Sequence, residues 1–202
     1  MAKRLFDLTA SAFGLLLLSP VLLLMALAIK LDSPGPVFFR QVRVGRHGAE
    51  FRIHKFRTMR HRDAGSEAAQ ITVGADPRIT RVGALLRRTK LDELAQLIDV
   101  FVGRMSLVGP RPEVPRYVAL YPYHLRDKVL SVRPGITDPA SLAFRDESAL
   151  LASVADPERE YVEVVMPAKL RLSARYVDEA SFAGDLRLIG ATLRTLWNGT
   201  PT

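Results

Sequence analysis

The chain has 202 residues, no cysteine, and 29 lysines and arginines against 21 acidic residues, a formal charge of +8. That length accommodates one domain with an appended membrane element, and the lack of thiols excludes disulfides, thiolate catalysis and cysteine-held zinc. The basic excess suits nucleic acid, an anionic lipid surface or a phosphorylated substrate, while His47, His54, His61 and His124 lack metal-ligand spacing and read as solvated or core residues.

Thr9 to Ile29 carries no charge, and about 20 apolar residues suffice for a membrane-spanning helix. Pro20, however, removes a main-chain donor and clashes with the carbonyl of Leu16, and Ser19 can bond back to the preceding turn. Each half then measures about 15 Å, half of the ~30 Å hydrocarbon thickness. Lys3 and Arg4 precede the segment and Lys30, Arg40, Arg43 and Arg46 follow it, so the positive-inside rule places both ends on the cytoplasmic face. Residues 1–32 are therefore predicted to be a re-entrant helix-break-helix, with Ser19 and Pro20 at the break and Arg4 within pairing distance of Asp7. A proline-bent spanning helix and a signal peptide are the alternatives, the second opposed by Asp7 and by the Ser19-Pro20 breaker.

Residues 33–202 are predicted to form a catalytic domain on the cytoplasmic face. Ser33-Pro34-Gly35-Pro36 turns the chain out of the membrane surface. Val37 to Gly45 and Phe51 to Met59 read as two short strands joined by the Gly45 to Gly48 turn, a small β-hairpin. Lys55 and Arg57, two apart on a strand, are expected on one face, where they can offer two cations to a diphosphate. Arg60 to Gln70 is polar and small, a mobile loop by composition.

Arg87-Arg88 leads into Thr89-Lys90-Leu91-Asp92, which reads as a capping box. Leu91, Leu94, Ile98 and Phe101 then make one apolar stripe, so a helix is expected from Thr89 to Gly103. Asp92 and Glu93 fall in its first turn, where the dipole favours ionised carboxylates; such a pair usually only caps, but an ionised carboxylate can also ligate a divalent cation or attack phosphorus. Beyond it, two prolines fix the backbone around Arg111 in Val108-Gly109-Pro110-Arg111-Pro112-Glu113, pre-orienting one guanidinium for phosphate. Helical text continues from Arg116 to Leu130, and Arg133-Pro134-Gly135 makes a second proline-fixed arginine loop. Tyr176 to Ser181 reads as a turn or short helix. Leu186, Ile189, Leu193, Leu196 and Trp197, with Arg187 and Arg194, compose either a helix lying in a membrane interface or an ordinary packing helix. The fold class is thus α+β, mostly helical: a re-entrant membrane segment, a small hairpin and a compact helical domain with interfacial amphipathic helices.

KLDELAQL followed by MSLVGPRPE resembles the bacterial sugar transferases, the small monotopic phosphoglycosyl transferases that load a sugar phosphate onto a polyprenol phosphate. Lys3-Arg4-Leu5-Phe6-Asp7, Lys55-Phe56-Arg57-Thr58-Met59 and Asp76 to Gly83 resemble further segments of that family, so the likeness covers nearly the whole chain. It implies a UDP-sugar donor, an undecaprenyl phosphate acceptor, Mg²⁺ at Asp92 and release of UMP. It also implies a covalent intermediate on Asp92, with Glu93 positioning Mg²⁺ or the incoming group. Arg87, Arg111, Arg133 and Arg145 are expected to bind the diphosphate with Lys55 and Arg57. Further implications are the bacterial inner membrane, an anionic lipid surface and no nucleic acid; a homodimer is compatible with it. A non-catalytic, membrane-anchored scaffold of a polysaccharide assembly complex is the alternative. Two departures stand out: Asp138 to Phe144 replaces the Gly-Trp-Ala-Gln-Val-Asn-Gly of many relatives, and Arg104 stands where they often carry an acid.

Overall fold

The computed structural model describes residues 1–60 and 76–197, without the side chain of Trp197. The loop expected from Arg60 to Gln70 therefore lies, beyond Arg60, outside the described residues.

Helix α1 (Ala2–Asp32) is unbroken through Pro20, and the Ser19 hydroxyl donates to the Leu16 carbonyl at 2.8 Å. The expected break is thus no interruption of the helix; the serine bonds back to the turn that the proline disturbs. By length and composition α1 is able to cross a membrane. Its middle is bare, with Leu16, Leu17, Leu23 and Leu24 all exposed, whereas both ends are fastened to one protein body. At the start, Asp7 accepts from the Ser106 hydroxyl at 2.8 Å and the Leu107 amide at 3.0 Å. Arg4 donates to the carbonyls of Val100 and Phe101. The expected Arg4–Asp7 pair is not made, because each side chain bonds main-chain groups of the domain instead, which rewards it more than an exposed ion pair. At the far end, Met25 and Ile29 pack with Phe56, Leu86 and Ala95, and Asp32 accepts from the Val82 amide at 3.1 Å.

The predicted hairpin forms in two short antiparallel ladders. β1 (Phe38–Phe39) pairs with β4 (Lys55–Phe56), and β2 (Val42–Val44) pairs with β3 (Glu50–Arg52). His47 and Gly48 take positive φ in the connecting turn.

The expected Thr89-to-Gly103 helix is replaced by a different arrangement. Helix α2 (Arg81–Thr89) comes first, capped by Thr80, whose hydroxyl accepts from the Gly83 amide. Thr89 closes α2 instead of opening a helix: its hydroxyl donates back to the Leu85 carbonyl at 2.8 Å. Lys90 then adopts φ 57°, the left-handed conformation that commonly ends helices. A 3₁₀ segment (Leu91–Gln96) and the short helix α3 (Leu97–Phe101) follow, and Gly103 turns the chain with φ 88°.

β5 (Ser106–Val108) and β6 (Gly135–Thr137) form a parallel pair. Gly109 and Gly135 make it possible: a Cβ on Gly135 would lie 2.1 Å from the Gly109 nitrogen. Between the strands run α4 (Pro115–Val118) and α5 (Tyr123–Leu130). After β6 come α6 (Pro139–Ala143) and α7 (Glu147–Ala152). α8 (Pro157–Glu160), a π-helical turn at Tyr161–Val165 and α9 (Met166–Glu179) follow one another directly. The chain closes on α10 (Phe182–Trp197). Val114, Tyr117, Leu151, Tyr161, Val165 and Met166 make the core on this side.

The unusual 138–144 segment folds as α6. Asp138 is its N-cap, accepting from the Ser141 amide and hydroxyl, and its second oxygen takes the Ser173 hydroxyl at 2.9 Å. An aspartate followed by proline is a helix-start signature.

Candidate active site

The 3₁₀ segment presents Asp92 and Glu93 to β4 and to the loop after β5. Lys55 lies between the two acids, its Nζ 2.9 Å from Asp92 Oδ2 and 3.2 Å from Glu93 Oε1. Arg111 meets Glu93 bidentately: Nη1 donates to Oε2 at 3.0 Å, and Nη2 donates to Oε1. Burial alone would push the Glu93 carboxyl up; Arg111 and Lys55 outweigh it and hold the group well below the usual carboxylate range. Glu93 in turn raises the guanidinium of Arg111.

Asp92 is 2% exposed, and its Oδ1 is buried without a hydrogen-bond partner. A buried carboxylate oxygen left unpaired is costly, which makes this an atom that calls for a ligand. Arg87, six residues after the start of α2, has an equally buried and unpaired Nη1.

The loop that carries Arg111 is held on both sides of that residue. The Gly109 amide donates to the Thr137 carbonyl, and the Gly135 amide to that of Pro110, both at 3.0 Å. Arg43 donates to the Pro112 carbonyl at 3.0 Å and to Glu113 Oε1 at 3.1 Å. Tyr161, on the π turn, donates its hydroxyl to Glu113 Oε2.

The structure thus joins Lys55, Asp92, Glu93 and Arg111 in one cluster. Arg57 is a correction: it is 4% exposed and donates to the carbonyls of Ile29, Ser33 and Pro34, closing the C-terminal end of α1. Strand β4 ends at Phe56, so the alternation expected to put Arg57 beside Lys55 does not extend to it. Arg133 donates from Nε to the Gly103 carbonyl at 2.8 Å, securing the turn after α3. Arg145 is half-buried between α6 and α7.

Sequence reasoning missed His54. Its amide and Nδ1 bond the two oxygens of the fully buried Asp99 at 2.7 and 2.8 Å. Arg40 approaches Nε2 at 2.6 Å. A guanidinium only donates, so Nε2 accepts and Nδ1 carries the proton. Asp99 lies on α3, seven residues beyond Asp92, so this pair anchors the strand carrying Lys55 on the helix that directly follows the 3₁₀ segment carrying Asp92. Arg104 lies 3.8 Å from Asp99 as well.

For Mg²⁺, the described residues contain no cluster of three His, Asp or Glu side chains. Both oxygens of Glu93 are spent on cations, which opposes its expected role in positioning a metal. Mg²⁺ commonly keeps waters and binds one or two carboxylates plus substrate phosphates, and the unpaired Asp92 Oδ1 fits that need. Its two lone pairs allow one atom to touch a cation and a phosphorus.

A family model described as bacterial sugar transferase matches residues 1–199. The chain belongs to the bacterial sugar transferase family. Among the relatives of this family member, the exopolysaccharide production protein PSS of Rhizobium leguminosarum bv. phaseoli is 40% identical over 199 residues, covering 95% of this chain and 92% of that protein. The UDP-glucose:undecaprenyl-phosphate glucose-1-phosphate transferase of Escherichia coli (strain K12) is 39% identical over 199 residues, 96% of this chain and 39% of that one. The enzyme of the same name from Caulobacter vibrioides is 46% identical over 153 residues, 70% of this chain and 54% of that one. The chain thus spans nearly all of the Rhizobium protein and about half or less of the two glucose-1-phosphate transferases.

Proposed function

We propose that the chain transfers a sugar 1-phosphate from a UDP-sugar to a polyprenyl phosphate, through a covalent intermediate on Asp92. The observation that carries this reading is the buried Asp92 carboxylate, with one oxygen on Lys55 and the other unpaired. The names of the E. coli and C. vibrioides relatives support the choice of donor and acceptor.

Asp92 Oδ1 attacks the sugar-bearing phosphorus. A bond forms from carboxylate oxygen to phosphorus, the bond to the bridging oxygen breaks, and UMP departs with that oxygen and the electron pair. An oxygen of the polyprenyl phosphate then attacks the same phosphorus, and the Asp92 carboxylate leaves, giving polyprenyl diphosphate sugar. Splitting a displacement between anions into two steps lets one site serve both. Lys55 and Arg111 supply fixed positive charge beside the reacting phosphorus, and Arg87 brings an unspent guanidinium donor. Mg²⁺ held at Asp92 and by the diphosphate would neutralise charge building on the leaving UMP.

The acceptor's phosphate lies at head-group level, so the site belongs there too, on the cytoplasmic face of the bacterial inner membrane. The attachment of both ends of α1 to one body supports re-entry: a spanning helix would carry one end about 30 Å away across the hydrocarbon. The exposed Leu186, Leu193 and Leu196 of α10 support a second interfacial contact. Because the chain has no cysteine, single cysteines placed at Ala2 and at Ala49 test the topology. Re-entry predicts labelling of both from the same membrane side; labelling from opposite sides would overturn it.

Incubating the purified protein with Mg²⁺, undecaprenyl phosphate and a panel of UDP-sugars is expected to release UMP with at least one donor and to yield the lipid-linked sugar in equal amount. Failure with every donor would leave the scaffold reading in its place.

A further inference from the structure

The carbonyl of Val108, one residue before the Gly109-Pro110-Arg111 loop, takes the Lys3 ammonium at 2.9 Å, and the Tyr176 hydroxyl lies 3.3 Å from it. Both of these side chains are gripped by one acid. Asp185, 3% exposed in the first turn of α10, pairs through Oδ2 with Lys3 and accepts from the Tyr176 hydroxyl through Oδ1 at 2.7 Å. The first turn of α1 and the junction of α9 with α10, at opposite ends of the sequence, thus meet on the strand that delivers Arg111.

We propose that Asp185 is a positioning residue that, through Lys3 and Tyr176, fixes the end of β5 and so the Arg111 loop, making the geometry at Asp92 and Glu93 depend on how the first turn of α1 is seated. This goes beyond the transferase reading but rests on it for the effect on turnover. Asp185 uses each oxygen once, on a different element, whereas an acid that merely filled an N-terminal turn would bond its own helix. The Lys3 side chain is 42% exposed. Without its counter-ion the ammonium can swing into water and release Val108 with no charge left stranded. Asp7 secures Ser106 and Leu107 just upstream, so the loss concentrates at Val108 and the residues after it. Thr137 Oγ1 meets Thr192 Oγ1 at 2.7 Å and keeps α10 docked on β6 when Asp185 is changed.

The test compares wild type with Asp185→Asn, Lys3→Met and the double variant, in the full chain in detergent or lipid. Hydrogen exchange of the peptide holding Gly109 to Arg111 is expected to speed up about tenfold in each single variant and no further in the double, with the α5 peptide unchanged. Turnover is expected to fall about tenfold, with KM for the UDP-sugar within about twofold and the same non-additivity. Exchange at wild-type rates, additive effects, or a loss explained wholly by less folded protein would each overturn the proposal. Should wild type turn over no donor while the exchange pattern holds, the transferase reading fails and the fixing of the loop stands. Tyr176→Phe guards against misfolding of the charge variants: it removes only the hydroxyl, and the same peptide must loosen in it, to a smaller degree.

Discussion

Asp92→Asn is expected to lower turnover by about three orders of magnitude or more, about 4 kcal/mol of lost transition-state stabilisation. The side chain keeps its shape, so the 3₁₀ segment and its contacts should persist, and the melting temperature should stay within a few degrees of wild type. What disappears is the proposed nucleophile: an amide oxygen does not form a stable bond to phosphorus, and no neighbour can replace it. Glu93, the adjacent acid, has both oxygens tied to Arg111 and Lys55. Quenching the wild-type protein with UDP-sugar alone should add the mass of a sugar phosphate to the peptide containing Asp92, and the variant should add none. Near-normal turnover in the variant, or product without any such adduct in wild type, would end the covalent scheme.

Much of this site could be read in the residues because its parts are short-range. Two acids in sequence, the proline-flanked Arg111 and the basic Lys55 strand each carry a local pattern, and the structure brings all three together. What could not be read rests on contacts across long sequence separations. The Thr89-to-Asp92 capping box fails because Lys90 turns left-handed and the Thr89 hydroxyl is drawn back to Leu85, closing a helix whose Leu86 is buried in the core. His54 looked solitary because its partner, Asp99, lies 45 residues away. Arg57 looked like a phosphate ligand because nothing local announces that the end of α1 needs its donors. The hairpin, by contrast, was legible down to its turn, since strand alternation and a glycine-bounded loop are properties of the segment itself. Asp138 is the instructive middle case: its aspartate-proline helix start is local, while the likeness to other sequences marked the segment only as a departure.

Replacing Arg111 by methionine is expected to cost about 100-fold in turnover and, in stability, about 1–3 kcal/mol, below the full cost of breaking a buried pair because Arg111 is 37% exposed. The larger effect on turnover follows from Lys55. That one ammonium is shared by Asp92 at 2.9 Å and Glu93 at 3.2 Å, and the guanidinium on both Glu93 oxygens weakens the hold of Glu93 on it. Deprived of the guanidinium, Glu93 is expected to compete harder for Lys55, so that Asp92, the proposed nucleophile, loses its orienting partner. Arg111→Lys should rescue little, since a single ammonium cannot reproduce a two-point contact. Acidity separates this account from a simple loss of packing. In wild type the Glu93 carboxyl is held low, so its contribution to stability is complete above the ordinary glutamate value of about 4.3 and is lost only as pH falls through the depressed folded value. In the methionine variant burial is no longer offset by Arg111, so the carboxyl titrates at a higher pH, and protonation relieves the stranded charge. The difference in melting temperature between wild type and variant should therefore shrink as pH is lowered from 7 towards 4. A constant or widening difference would show that Arg111 is valued for its bulk and that Lys55 was never contested.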